Sequence, residues 1–301
     1  MPKIPLKIGY FADGIWALNA LKMLHKDKDF KLCFLVPRFE KADEMLIKEA
    51  QKYGIAVIKS ANINTHQFTQ SIQKFNCDLL VSMSFNQIFK KELLDFYPII
   101  NCHASKLPFY RGRNPINWAL INDEKEFGIS VHFVDSGIDT GDIILQKSFA
   151  IQESDDYTSL LKIAHKHCAK LLFEALKLFV RGEIQRIKQE SIDKIGSYYP
   201  PRKQGDEIID FSKGTREIFN FIRALNAPDL GALAFIGKES IRLYESEICL
   251  MPVKSEFANG LILALDEKGF LLKLKDGVLK INKFAFKGTL KAGLMLKSVI
   301  L

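Results

Sequence analysis

The chain has 301 residues, 48% hydrophobic and 26% charged, the make-up of a soluble globular protein long enough for one large domain and a smaller one. No apolar run is long enough to span a bilayer and the Lys-containing N-terminus lacks a signal-peptide core, which excludes the membrane and secreted classes and leaves the cytoplasm as the expected location. The formal net charge of +8 is spread over lysines on amphipathic stretches, mostly a solvated face; without a dense basic run no nucleic-acid partner is expected, and the charge fits a phosphorylated small molecule or no specific partner.

Residues 7–11 read as a first strand, 12–14 as a turn with Asp13 as a candidate N-cap, and 15–25 as a helix. A strand at 30–36, a helix at 42–53, a short strand at 56–58 and a helix at 65–75 follow. The apolar run 78–83 reads as a doubly buried strand, 90–95 as a short helix, and the run ending Pro98, Ile99 and Ile100 as the strand that feeds Asn101. Strands alternating with helices give an α/β fold, a doubly wound, mostly parallel sheet covered on both faces. Ligands in such folds sit at the carboxyl ends of the strands, which gathers residues 11–14, 84–87 and 101–103 around one cleft. The first turn carries no G-x-G-x-x-G, which argues against an NAD-type site.

Residues 127–133 and 142–149 read as strands flanking a glycine-bearing loop, and 156–180 as a long amphipathic helix. His165 and His167 lie two apart on that helix, on different faces and without a third ligand, so no metal site is expected. The 5 cysteines are odd in number and show no C-x-x-C pair, and they read as buried thiols. Composition shifts at 196–205, where Pro200, Pro201 and Gly205 mark a linker. Beyond it come a helix at 215–225, a turn at 228–231, and short strands at 233–236, 240–244, 260–265, 269–274 and 278–286, the spacing of a small β-barrel or sandwich. The domains are therefore placed at 1–196 and 197–301.

Chemistry gathers where the fifth strand ends. Side chains alternate along a strand, so Asn101 and His103 point one way and Cys102 the other. An amide beside an imidazole suits acyl transfer: the amide holds a developing oxyanion and the imidazole moves a proton. A carboxylate downstream, Asp139 or Asp142, can orient the imidazole and favour its charged form. Taken alone, an Asn-x-His at a strand end also fits a turn with a satisfied histidine.

Two blocks separate these readings, NCHASKLPFYRGRNP at 101–115 and GISVHFVDSGIDTGDI at 128–143. In order and separation they resemble the formyltransferases that use 10-formyltetrahydrofolate, a family including methionyl-tRNA formyltransferase, glycinamide ribonucleotide transformylase and the N-formyltransferases of nucleotide-linked amino sugars. The resemblance implies that 1–196 is the catalytic domain, that 10-formyltetrahydrofolate is the formyl donor, and that an amine is the acceptor. It matches Asn101, His103 and Asp139 to the family's catalytic Asn, His and Asp, and so prefers Asp139 over Asp142. It places the folate beside Phe85, Asn86 and Gln87, with Asp135, Ser136, Gly137 and Ile138 as the opposite wall and Arg113 close to cofactor and acceptor. It requires no metal.

Two acceptors compete within the resemblance. The tRNA enzymes typically carry a basic, glycine-rich insertion after the second strand; here VPRFEKADE at 36–44 is short and mixed in sign. The run of Arg113, Asn114 and Pro115, the segment YPPRKQGDEIIDF at 199–211 and IRAL at 222–225 look more like the sugar N-formyltransferases. A nucleotide-linked amino sugar is therefore the expected acceptor, with methionyl-tRNA as the alternative. A formyl-folate hydrolase and a non-catalytic folate- or nucleotide-binding module are the further alternatives. A homodimer is expected from the frequency of symmetric pairs among soluble enzymes.

Overall fold

In a computed structural model the described residues are 4–227, 230–252 and 256–300. They form two compact units: Met1–Arg113, Phe127–Phe149 and Lys162–Tyr199 make the first, and Asn114–Glu126, Ala150–Leu161 and Pro200–Leu301 the second. Two internal segments, 114–126 and 150–161, thus cluster with the C-terminal part of the chain. No helix among the described residues is long and apolar enough to cross a membrane.

The chain runs β1 (Leu6–Ala12), α1 (Gly14–Lys26), β2 (Phe30–Val36), α2 (Glu44–Lys52), β3 (Ala56–Val57), α3 (His66–Gln73), β4 (Leu79–Met83), α4 (Lys91–Leu94) and β5 (Ile99–His103). It continues through β6 (Arg111–Gly112), α5 (Pro115–Ile121), β7 (Glu126–Phe133), β8 (Ile143–Ala150), α6 (Tyr157–Arg181) and β9 (Tyr198–Tyr199). The seven-stranded sheet has the order β3-β2-β1-β4-β5-β7-β8. From β1 the chain winds outward to β2 and β3, then returns to β4 and β5 on the other side, all in parallel. The doubly wound, mostly parallel fold expected from the strand–helix alternation is what forms, with β7 antiparallel to β5. Every residue of β4 is buried, which its LLVSM sequence permits because helices cover both faces of a parallel sheet.

Beneath the carboxyl ends of β1 and β4 lies an aromatic cluster. Phe11 meets Phe34, Phe68, Phe85 and Phe89 edge-on, with ring centroids 5.1 to 6.1 Å apart. Such pairs contribute about 0.5–1.5 kcal/mol each beyond their burial, and here they seat the segment after β4. Asp13 occupies the N-cap position of α1, yet its carboxylate does not cap that helix. It accepts instead from the Asp43 N–H at 2.8 Å and faces Arg38 at 3.6 Å.

The second unit holds α5, α7 (Thr215–Ala224) and an antiparallel sheet of β10 (Ala232–Ile236), β11 (Glu239–Cys249), β12 (Ile262–Asp266), β13 (Gly269–Leu274) and β14 (Gly277–Phe286), in the order β10-β11-β14-β13-β12. β11 is longer than the stretch 240–244 read from sequence, because it stays paired with β14 as far as Cys249. Residues near the end of the chain bond to both edge strands: Lys297 exchanges backbone hydrogen bonds with Phe235, and Ile262 donates to Leu294. The sheet edges are thereby covered barrel-fashion. Asn117, buried on α5, donates to the Ala224 carbonyl at 2.7 Å and satisfies the last carbonyl of α7. Pro228 and Asp229, within the expected turn at 228–231, lie outside the described residues.

Candidate functional site

Alternation along β5 sets Asn101 and His103 on one side of the sheet. Cys102 turns the other way, and its thiol donates to the Cys168 carbonyl at 3.6 Å. His103 Nε2 lies 2.9 Å from the Tyr110 carbonyl. A carbonyl only accepts, so the ring carries a proton on Nε2 and presents Nδ1 to Asp139 Oδ2 at 3.6 Å. That separation is an ionic contact, available when His103 is protonated on both nitrogens.

Asp139 is the hub. Its Oδ2 accepts from the Gly112 N–H at 2.9 Å, and its Oδ1 lies 3.4 Å from Asn101 Nδ2 and 3.5 Å from His132 Nε2. Burial by itself pushes this carboxyl up, but the His103 charge, the His132 contact and the Gly112 N–H outweigh it and hold the group well below the usual carboxylate range. Its backbone is left-handed, φ 54°, which costs a non-glycine residue on the order of 1–2 kcal/mol. The glycines of the two loops are sterically required. A Cβ on Gly141 would come within 2.0 Å of the Phe133 carbonyl, and one on Gly112 within 2.3 Å of the Tyr199 carbonyl. The second contact arises because β9 pairs in parallel with β6, so the stretch at 196–205 read as linker begins as a strand.

Two residues without a role in the sequence reading complete the centre. His132, 1% exposed, stands directly opposite Asn101 in the antiparallel β5–β7 pair. Its Nδ1 donates to the Phe133 carbonyl at 2.7 Å, and its Nε2 lies 3.2 Å from Asn101 Nδ2. A polar ring alternating with the apolar Ile129, Val131 and Phe133, on the face it shares with Ser130, was the available signal. Gln189 donates from Nε2 to the carbonyls of Asp139 and Gly141 at 2.7 and 2.8 Å. Nothing in its local sequence marks it.

Asp142 does not join this group; it lies 3.9 Å from Arg186, whose guanidinium stacks 3.9 Å over the Phe133 ring. Of the residues expected at a folate, Arg113 and Asn86 come together, Arg113 Nη2 donating to the Asn86 carbonyl at 2.9 Å. Phe85 is in the aromatic core, which leaves its backbone rather than its ring to meet a ligand. The Gln87 side chain bridges the Ile63 N–H and the Ser60 carbonyl. Asp135 folds its own loop by accepting from the Gly137 N–H and the Thr140 hydroxyl. It also lines a cavity of about 400 Å³ with Tyr97, Phe133 and Arg186, and that cavity includes none of Asn101, His103 and Asp139. Ser136 and Ile138 are exposed. Among the described residues no group of three or more His, Cys, Asp and Glu is placed to hold a metal ion.

A doubly wound sheet that presents an amide and an imidazole at one strand end, beside a half-buried loop carboxylate, belongs to the acyl-transfer class of group transferases. Residues 11–176 match the formyl transferase family model, and residues 202–297 match that of the formyl transferase C-terminal domain. The chain is 35% identical over 247 residues to the methionyl-tRNA formyltransferase of Ruminiclostridium cellulolyticum, covering 80% of this chain and 77% of that one. It is 31% identical over 285 residues to the methionyl-tRNA formyltransferase of Fusobacterium nucleatum, covering 92% and 91%. Among solved structures, the N-formyltransferase of Helicobacter canadensis, in complex with folinic acid and dTDP-3-aminofucose, has the same fold with a TM-score of 0.72 at 23% identity, covering 93% of this chain and 100% of that one. The chain belongs to the formyl transferase family and is an N-formyltransferase.

Proposed function

We propose that this chain transfers a formyl group from 10-formyltetrahydrofolate to the amine of a nucleotide-linked amino sugar, with Asn101, His103 and Asp139 as its catalytic residues. The convergence of these three side chains at the end of β5 carries the reading. The donor supplies a formyl carbon already activated on nitrogen. The segment 85–87, Arg113 and the loop 135–138 would hold it, and Ile88 and Ile138, 54% and 40% exposed, offer apolar cover for a flat ring.

Each residue has one task. The longer of the two Asn101 contacts, 3.4 Å to Asp139, is weak enough to be exchanged for the formyl oxygen as negative charge grows there. His103 Nδ1 takes the proton of the attacking amine, since Nε2 is engaged by Tyr110. Asp139, held ionised, favours the resulting imidazolium, which returns its proton to the folate nitrogen as the bond from that nitrogen to the formyl carbon breaks and tetrahydrofolate leaves.

For the acceptor, the segment between β2 and α2 supports a small ligand over a polyanion. Its cations Arg38 and Lys41 are matched by Glu40 and Asp43. Arg38 turns inward, donating to the Ser84 carbonyl at 3.0 and 2.7 Å. The dTDP-amino sugar in the Helicobacter canadensis complex supports the same reading. The second reading, methionyl-tRNA as acceptor, is favoured by the names of the relatives at 31% and 35% identity.

Release of tetrahydrofolate from 10-formyltetrahydrofolate, measured with UDP- and dTDP-amino sugars beside methionyl-tRNA, tests the proposal. Turnover with an amino sugar that drops about 10²–10⁴-fold in His103→Ala is expected. Turnover with methionyl-tRNA alone replaces the acceptor, and turnover without any acceptor makes the reaction a hydrolysis.

A further inference from the structure

Gln189 falls between the two family-matched segments and reaches the centre from a single 3-10 turn, Gln189–Ser191. It is 3% exposed, and its amide is bonded at both ends. Nε2 donates to the carbonyls of Asp139 and Gly141, while Oε1 accepts from Nε and Nη2 of Arg111 at 3.0 and 2.8 Å. The orientation is forced, because carbonyls only accept and a guanidinium only donates. A carboxylate of the same shape would set an oxygen against two carbonyl oxygens.

These bonds close a ring around the centre. Arg111 is followed by Gly112, whose N–H donates to Asp139 Oδ2, and Asp139 returns to Gln189 through its own carbonyl. The bonds from Asp135 to Gly137 and Thr140 tie the loop only to itself. Gln189 ties it to a second stretch of chain and to the strand carrying Gly112, across a residue whose backbone is left-handed. We propose that Gln189 is a positioning residue for formyl transfer, clamping the backbone at Asp139 and Gly141 so that the Asp139 carboxylate faces His103 Nδ1. The inference rests on the reading of Asp139 as catalytic.

Gln189→Glu tests it, since glutamate keeps the acceptor for Arg111 and loses both N–H groups. Two readouts are taken: formyl transfer to whichever of the amino sugars or methionyl-tRNA is turned over, and hydrogen exchange of the Gly112 amide. The rate should fall about 100-fold with both KM values within about threefold of wild type, the pattern of a misplaced group rather than a lost binding contact. Gly112 exchange should quicken about tenfold, while the Arg111 amide, which donates to the Ser197 carbonyl at 3.0 Å, keeps its protection. A rate within about threefold of wild type, or unchanged Gly112 exchange, overturns the inference. If the glutamate variant does not fold, Gln189→Asn, one methylene too short for the span, is read the same way. Asp139→Asn is measured alongside. Full activity there removes the catalytic reading of Asp139 and this inference with it; an inactive Asp139→Asn beside an unimpaired Gln189→Glu removes the inference alone.

Discussion

The amide nitrogen of Asn101 stands 3.2 Å from Nε2 of His132, and this contact decides which end of the amide faces the centre. His132 Nδ1 donates to the Phe133 carbonyl, so in the neutral ring Nε2 can only accept. Asn101 must then turn its NH₂ toward His132 and Asp139, the orientation an oxyanion donor needs. Asn101→Ala should lower kcat about 10²–10³-fold, the usual loss of one oxyanion donor. His132→Phe should give a smaller loss in the same direction, because the amide is freed to rotate rather than removed. Steady-state kinetics with both variants checks this; a His132→Phe enzyme at wild-type kcat would show that the amide needs no orienting partner.

Acid should act on the protein through Asp139. Its carboxyl is held below its ordinary value by the His103 charge, by His132 when that ring is charged, and by the Gly112 N–H, against the upward push of burial. A group whose folded pKa is depressed gives stability that is whole above its unfolded pKa, about 4, and is lost as pH falls toward the folded value. The melting temperature of wild type should therefore drop steeply below about pH 4, and Asp139→Asn should show a shallower drop over the same range. Calorimetry of the two proteins between about pH 6 and pH 2 gives the comparison. Parallel curves would mean that the carboxylate gains nothing from its neighbours.

The Asn101–His103 pair was readable because a period of two is a property of one strand, and β5 obeys it. His132 was not, because its partnership depends on the register between β5 and β7, and register is set by both strands together with the connection between them, which here holds β6 and α5. Gln189 lies in a stretch without periodicity, and its meaning comes from contacts with residues about fifty and eighty positions away. The Asp13 carboxylate, read as a helix cap, was claimed by the Asp43 N–H and by Arg38, a tertiary contact overriding a local preference. Helix and strand placement along β1 to β5 followed the hydrophobic pattern closely, since each element buries a whole face.

Cys102 sits between Asn101 and His103 in sequence but on the far side of the sheet in space. It is 7% exposed and donates to the Cys168 carbonyl. A thiol so placed packs and does not react. Cys102→Ala should keep kcat within about threefold of wild type and lose stability on the order of 1 kcal/mol. Loss of turnover at unchanged folding, read by circular dichroism beside the assay, would instead give the thiol a chemical role.

Arg38 links stability to pH with the opposite sign. Burial pushes the Asp13 carboxyl up, the Asp43 N–H and the Arg38 charge pull against it, and the net effect is a raised value. A carboxyl raised in the folded state weakens folding as pH climbs through its unfolded pKa toward the folded one, because the unfolded chain ionises more readily. Arg38→Ala removes one of the two groups that restrain the rise, together with the bonds to the Ser84 carbonyl. The variant should lose about 1–3 kcal/mol near neutral pH, as expected when a buried charged group loses a partner. That loss should shrink toward about pH 3, below the unfolded value, where Asp13 is protonated in both states. Denaturant titrations at the two pH values measure the difference. A loss of equal size at both would assign the role of Arg38 to the Ser84 carbonyl alone. A variant of wild-type stability at neutral pH would mean that Arg38 holds neither group, and would reopen it as a cation available to an acceptor's phosphates.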